Sequence, residues 1–133
     1  MIYSRNAVFT AVQADILAAH SGTYVTSRFT DKPASFPSVL IREIDRNRPV
    51  QNIQLDFADV QWESVFEVQV VSAKVNTAAS EAYGIMDTVR SAFNKLFFYE
   101  YSEVPIDGGD TFTVIGRFRR IIGGGDTMPT QSN

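Results

Sequence analysis

The chain has one histidine, His20, and no cysteine. A catalytic imidazole needs a nucleophile and an orienting partner within hydrogen-bond reach. No residue pattern here nominates either. His20 precedes Ser21-Gly22, a helix-stop pattern, so it reads as a structural imidazole near a helix C-terminus, where the backbone dipole favours a cation. Without thiols there are no disulfides, thiolate metal sites or cysteine nucleophiles. The acidic residues come in pairs: Glu43/Asp45, Asp56/Asp59 and Glu63/Glu67. Carboxylates at alternate strand positions share a face and could hold a divalent cation through oxygen. No further liganding motif accompanies them, and the EF-hand spacing is absent, so no metal and no other cofactor is expected. The glycines at 123–125 lack the following Lys-Ser/Thr of a phosphate loop.

The cations are more informative. Arg117 and Arg119 share one strand face with Ile115 and Ile121, and Arg120 follows. One reading is a solvated face with cross-strand partners such as Glu63 or Glu67. The other is charge pairing with acidic groups of an adjacent subunit; DNA contact ranks third. Arg46-Asn47-Arg48 reads equally as a plain turn or as a contact loop.

These groups must be positioned by local elements. Residues 4–20 read as a helix, with Ser4 as N-cap and Val8, Val12, Ile16 and Ala19 at three- and four-residue steps beside Phe9. Residues 24–29 alternate weakly, as a short strand. Phe36-Pro37 leads into a strand over 38–45, with Val39, Ile41 and Glu43 on one face and Leu40, Arg42 and Ile44 on the other. Arg46-Asn47-Arg48-Pro49 signals a turn. The excursion over 46–60 nevertheless keeps Val50, Ile53, Leu55, Phe57 and Val60 at intervals, which predicts that it docks on something. Residues 62–72 give the clearest strand. Trp62, Phe66, Val68 and Val70 lie on one side, and Glu63, Val65, Glu67, Gln69 and Val71 on the other.

A second helix spans 77–96, capped by Asn76 or Thr77, with Ala82, Ile85, Met86, Val89, Phe93 and Leu96 as its inward stripe. Gly84 in its interior suggests close packing on the sheet there. Residues 99–106 form a strand leading to Asp107-Gly108-Gly109-Asp110, a hairpin signal. The last strand covers 111–122, with Phe112, Val114, Phe118 and Ile122 on its apolar side.

The expected fold is α+β: a mainly antiparallel sheet of four to five strands with two helices packed on one face. Residues 1–122 form one domain, and 123–133 form a flexible, Gly-rich tail. The face without helices would expose Val65, Val71, Ile115 and Ile121. A contiguous apolar patch of that kind marks an interface, here most simply between copies of the chain. No stretch is long and apolar enough to span a membrane, and no secretory signal is expected. A formal charge of −3 and a pI of about 5.0 argue against a broad electrostatic grip on nucleic acid.

Four segments, taken in order, carry a resemblance. They are Phe36-Pro37-Ser38-Val39 with Glu43-Ile44-Asp45; Glu63 through Val70; Ala78-Ala79-Ser80-Glu81-Ala82 with Ile85-Met86-Asp87; and Asp110 through Ile122. In pattern and order the chain resembles the tail terminator proteins of tailed phages, also called tail completion or head–tail joining proteins, over residues 30–122. The resemblance implies an α+β subunit that assembles into a hexameric ring at the head-proximal end of the tail. Its partners would be other copies of itself, the tail-tube protein and a head-completion or neck protein. It would be located in the virion after assembly in the host cytoplasm. DNA would pass through without specific binding, and six copies would total a charge of about −18. The family is not enzymatic and needs no cofactor.

For the ring, Arg46, Arg48, Val65, Glu67, Ile115, Arg117 and Arg119 are the candidate interface residues. Two other readings stay open: another neck (head-closure) or tail-tube subunit of the same virion, and a small ligand-binding α+β domain, for which no convergent polar set is seen.

Overall fold

The computed structural model describes residues 5–28, 35–47, 61–74 and 76–123, and the side chains of residues 61, 62, 122 and 123 are not described. Ser4 as a cap, Arg48, the Asp56/Asp59 pair, the apolar positions of the excursion and the tail beyond Gly123 lie outside these residues. So does the inward placement of Trp62 and Ile122.

The chain runs α1 (Arg5–Ala19), β1 (Tyr24–Thr26), β2 (Ser38–Asn47), β3 (Gln61–Ser72), α2 (Ala78–Lys95), β4 (Tyr99–Asp107) and β5 (Phe112–Gly123). The five strands form one open sheet in the order β1-β2-β3-β5-β4. Every pairing is antiparallel except β1 with β2, which is parallel. The fold is therefore α+β with a mixed sheet. The parallel pair is short because β1 stops at Thr26: the Thr26 hydroxyl accepts the Arg28 amide at 3.1 Å and turns the backbone out of the ladder. The Tyr24 amide donates to the Pro37 carbonyl at 2.9 Å and extends the register by one rung.

Alternation puts Val39 and Ile41 of β2, Phe66, Val68 and Val70 of β3, and Val114 and Phe118 of β5 on one side of the sheet, all buried. Both helices cover that side. The inward stripe of α2 is as its period predicts, and Ala92 joins it; α1 contributes Val8, Val12 and Ile16. Ala19, expected in the stripe, is exposed. The centre is aromatic: Phe93 stacks on Phe118 at 4.5 Å between centroids, and Phe66 and Phe98 meet Phe93 at 5.6 and 5.4 Å in tilted or edge-on geometry. Such pairs add about 0.5–1.5 kcal/mol beyond area burial.

Three local expectations are corrected. Gly84 does not pack on the sheet; a Cβ there would meet nothing within 4 Å, because Gly84 lies off the Ala82–Ile85–Met86 stripe. The glycine under α2 is Gly116 of β5, whose added Cβ would stand 3.0 Å from the Met86 sulfur and 3.1 Å from Glu100 Oε2. Thr77 occupies the N-cap of α2 but makes no side-chain cap bond. Glu81 in the first turn complements the dipole, and its carboxylate is anchored by the Ser72 hydroxyl at 2.5 Å.

Candidate functional site

The register fixes what shares the outer side of the sheet, the one opposite the helices. In successive rows across β2, β3, β5 and β4 stand Leu40, Gln69, Ile115 and Val104; then Arg42, Glu67, Arg117 and Ser102; then Asp45, Val65, Arg119 and Tyr99. The middle row is a charge ladder. The Glu67 carboxylate accepts from Arg42 Nη2 at 3.1 Å, from Gln69 Nε2 at 3.2 Å and from Arg117 Nε at 3.0 Å. Burial by itself would raise the Glu67 pKa, but the hydrogen bonds from Arg42, Gln69 and Arg117 outweigh it and hold the carboxyl below its ordinary value. Its side chain is 8% exposed, while those of Arg42 and Arg117 are 43% and 44% exposed. Two half-exposed cations thus flank one buried anion.

Arg119 lies one row further. Its Nη1 is 3.7 Å from Glu63 Oε2, its Nε donates to the Tyr99 hydroxyl, and its guanidinium stands over the Tyr99 and Tyr101 rings at 5.3 and 5.4 Å. The hydrogen bond it donates to the Tyr99 hydroxyl raises its pKa above the ordinary arginine value. Of the two readings of Arg117 and Arg119, the cross-strand one is therefore realised within the chain, and both side chains still reach water.

The remaining candidates are placed unevenly. Val65 is 6% exposed, so it is no part of an open patch. Ile115 is half-buried. Arg46 is not at a turn: β2 continues through Asn47, paired with Glu63. A bulge between Glu43 and Asp45 flips the alternation, so Arg46 pairs with Ser64 on the helix side. There Arg46 Nε and the Ser64 hydroxyl both donate to Glu43 Oε2, at 2.9 and 2.5 Å. The same bulge sends Glu43 and Asp45 to opposite faces, which dissolves that carboxylate pair. Among the described residues, no group of three or more His, Cys, Asp or Glu converges. His20 Nε2 lies 3.0 Å from the Thr88 hydroxyl, which in turn donates to the Gly84 carbonyl at 3.5 Å. The imidazole and the hydroxyl thus meet across the junction of the two helices.

Ile121 is 45% exposed, as expected of the face without helices. Sequence reasoning missed the exposed edge of this surface: Tyr99, Tyr101, Val104 and Ile106 are 44–49% exposed, and Phe97 is 64% exposed. These residues belong to β4 or stand just before it, and β4 is an edge of the sheet. The available signal was the alternation in Tyr99-Glu100-Tyr101 opposite Arg119. On the helix side, Arg90 of α2 grips β4 through Glu100 at 2.8 Å and Glu103 at 2.5 Å, and reaches Asp87 at 2.7 Å. The hydrogen bond to Glu100 leads in raising the Arg90 pKa.

No protein-family model and no curated protein matches the chain. Among solved structures it is similar to a chain of the virion of a native gene transfer agent (GTA) particle, with a TM-score of 0.57 and 14% sequence identity. The match covers 92% of this chain and 99% of that chain. The two chains share a fold. That fold has no helix, among the residues described here, long and apolar enough to cross a membrane.

Proposed function

We propose that this chain is a structural virion protein of a phage-like particle, a tail terminator whose copies form a ring between the tail tube and the neck. The observation that carries this reading is the likeness in fold to a chain of the GTA virion, end to end in both proteins. The order of elements from Phe36 to Ile122, by which the sequence resembles tail terminators, supports the finer assignment. The outer surface supports assembly: exposed tyrosines and arginines on an edge strand are the residue types that anchor protein interfaces.

In this role the protein catalyses nothing. The helix-covered core holds the sheet rigid, and the sheet presents a patterned face to neighbouring copies. Six copies would form the ring, the tail-tube protein would meet one side and the neck protein the other, and DNA would pass through an acidic assembly without being held. The test is deletion of the protein from the particle that encodes it. Tails that overrun their length or fail to join heads are expected; tails of normal length on filled heads would refute the role.

A further inference from the structure

We propose that the two ends of the β4–β5 hairpin are complementary halves of one contact: the tip on one copy seats in the base on a second copy. This rests on the ring reading above and gives it a specific interface.

The base is a concavity of about 380 Å³ lined by Glu63, Phe97, Tyr99, Arg119, Arg120 and Ile121. Phe97 follows the last turn of α2 with φ 66, where the Phe98 amide returns to the Phe93 carbonyl at 3.0 Å. Glycine is the residue favoured at that position, and a bulky side chain there is strained. The strain is retained although the Phe97 ring stands in water, with the Arg120 guanidinium 5.3 Å from its centroid. A strained, exposed aromatic beside two arginines and an exposed tyrosine has the chemistry of an interface anchor.

The tip is chemically opposite. Asp107 and Asp110 are exposed, and among the described residues neither joins an ion pair; Asp107 Oδ1 only accepts the Gly109 amide at 3.0 Å. Val104 and Ile106 beside them are exposed aliphatics. Counting formal charges, the two tip carboxylates give −2, and the base, with two arginines and one glutamate, gives +1. Like-charged copies of an acidic chain would repel on most approaches, and this pairing is one that attracts.

The mode of contact also follows. A bulge between Glu100 and Ser102, together with Pro105, interrupts the free edge of β4, which argues against strand addition and for side-chain docking. Tip and base lie at opposite ends of β4, roughly 26 Å apart at the usual rise per residue. They cannot meet within one chain. A contact between two different patches is head-to-tail and repeats from copy to copy until it closes.

The absence of native cysteine makes the test clean. Full-length chain carrying both Asp110→Cys and Ile121→Cys, mildly oxidised, should give a ladder of covalent oligomers on a non-reducing gel. Each single variant should remain monomeric, and their equimolar mixture should give dimers. Linking of a single variant to itself as strongly as in the mixture would overturn the proposal, as would a double variant that links no better than Asp110→Cys paired with Thr10→Cys on exposed α1. Charge exchange gives the second readout. Asp107→Asn with Asp110→Lys, and separately Arg119→Glu, should each abolish self-association, and mixing the two proteins should restore it. Rings that persist in both variants would reject this contact while leaving the ring intact; a double-cysteine variant that does not link, together with a wild-type chain that does not assemble, would reject both.

Discussion

The two faces of the sheet use the same strands for opposite ends. On the helix side of β3, Phe66, Val68 and Val70 vanish into an aromatic core. On the other side, the neighbouring positions hold a carboxylate bound by two arginines, Arg42 and Arg117, that still reach water. Alternation separates these roles residue by residue. The difference teaches that stability and assembly are written on different sides, so a substitution should disturb one and spare the other. Paired charges on an open face add little stability, while they restrict which surface can approach.

The largest expected effect is on the covered face. Phe66→Ala removes a ring that meets Phe93 and Phe98, and should cost about 3–5 kcal/mol in denaturant unfolding. A loss under about 1 kcal/mol would invert the assignment of faces.

Glu67→Gln should cost about 1–2 kcal/mol at neutral pH, since it leaves Arg42 and Arg117 without their shared anion in a partly solvated setting. Its pH dependence has a definite sign. The native pKa lies below the ordinary value of 4.5, so the wild-type advantage is present above that value and is lost as pH falls through the native pKa. Equal deficits at pH 7 and pH 3 would show that the charge is not responsible.

Phe97→Gly relieves a left-handed backbone at the cost of some unfolded-state entropy, and should leave stability unchanged or raise it by about 1 kcal/mol while weakening self-association. A clear loss of stability would mean that Phe97 serves the fold. The smallest effect on folding is expected for Tyr101→Ser, within about 0.5 kcal/mol, with assembly again the property that falls.

The covered face was legible because period and burial coincide there: the α2 stripe and the alternation of Phe66, Val68 and Val70 are readable without a partner. The outer face was legible only in part. The Glu67 ladder follows from strand order, but Arg46 was misplaced because a bulge at Ile44 leaves no signal in an alternating run. Val65 was expected to be open because burial on a face without helices depends on long neighbouring side chains, which periodicity does not report. Phe97 and the tyrosines escaped notice because exposure of an aromatic at a helix end is a tertiary fact. A sequence pattern predicts such a ring to be core.

Negative-stain microscopy of the purified full-length chain across a concentration series tests the central claim most directly. Discrete, closed rings of one diameter, gaining population with concentration and lost on substitution at Arg119 or Asp110, are the predicted result. Particles that stay monomeric at every concentration, or that stop at a two-fold dimer, would contradict it.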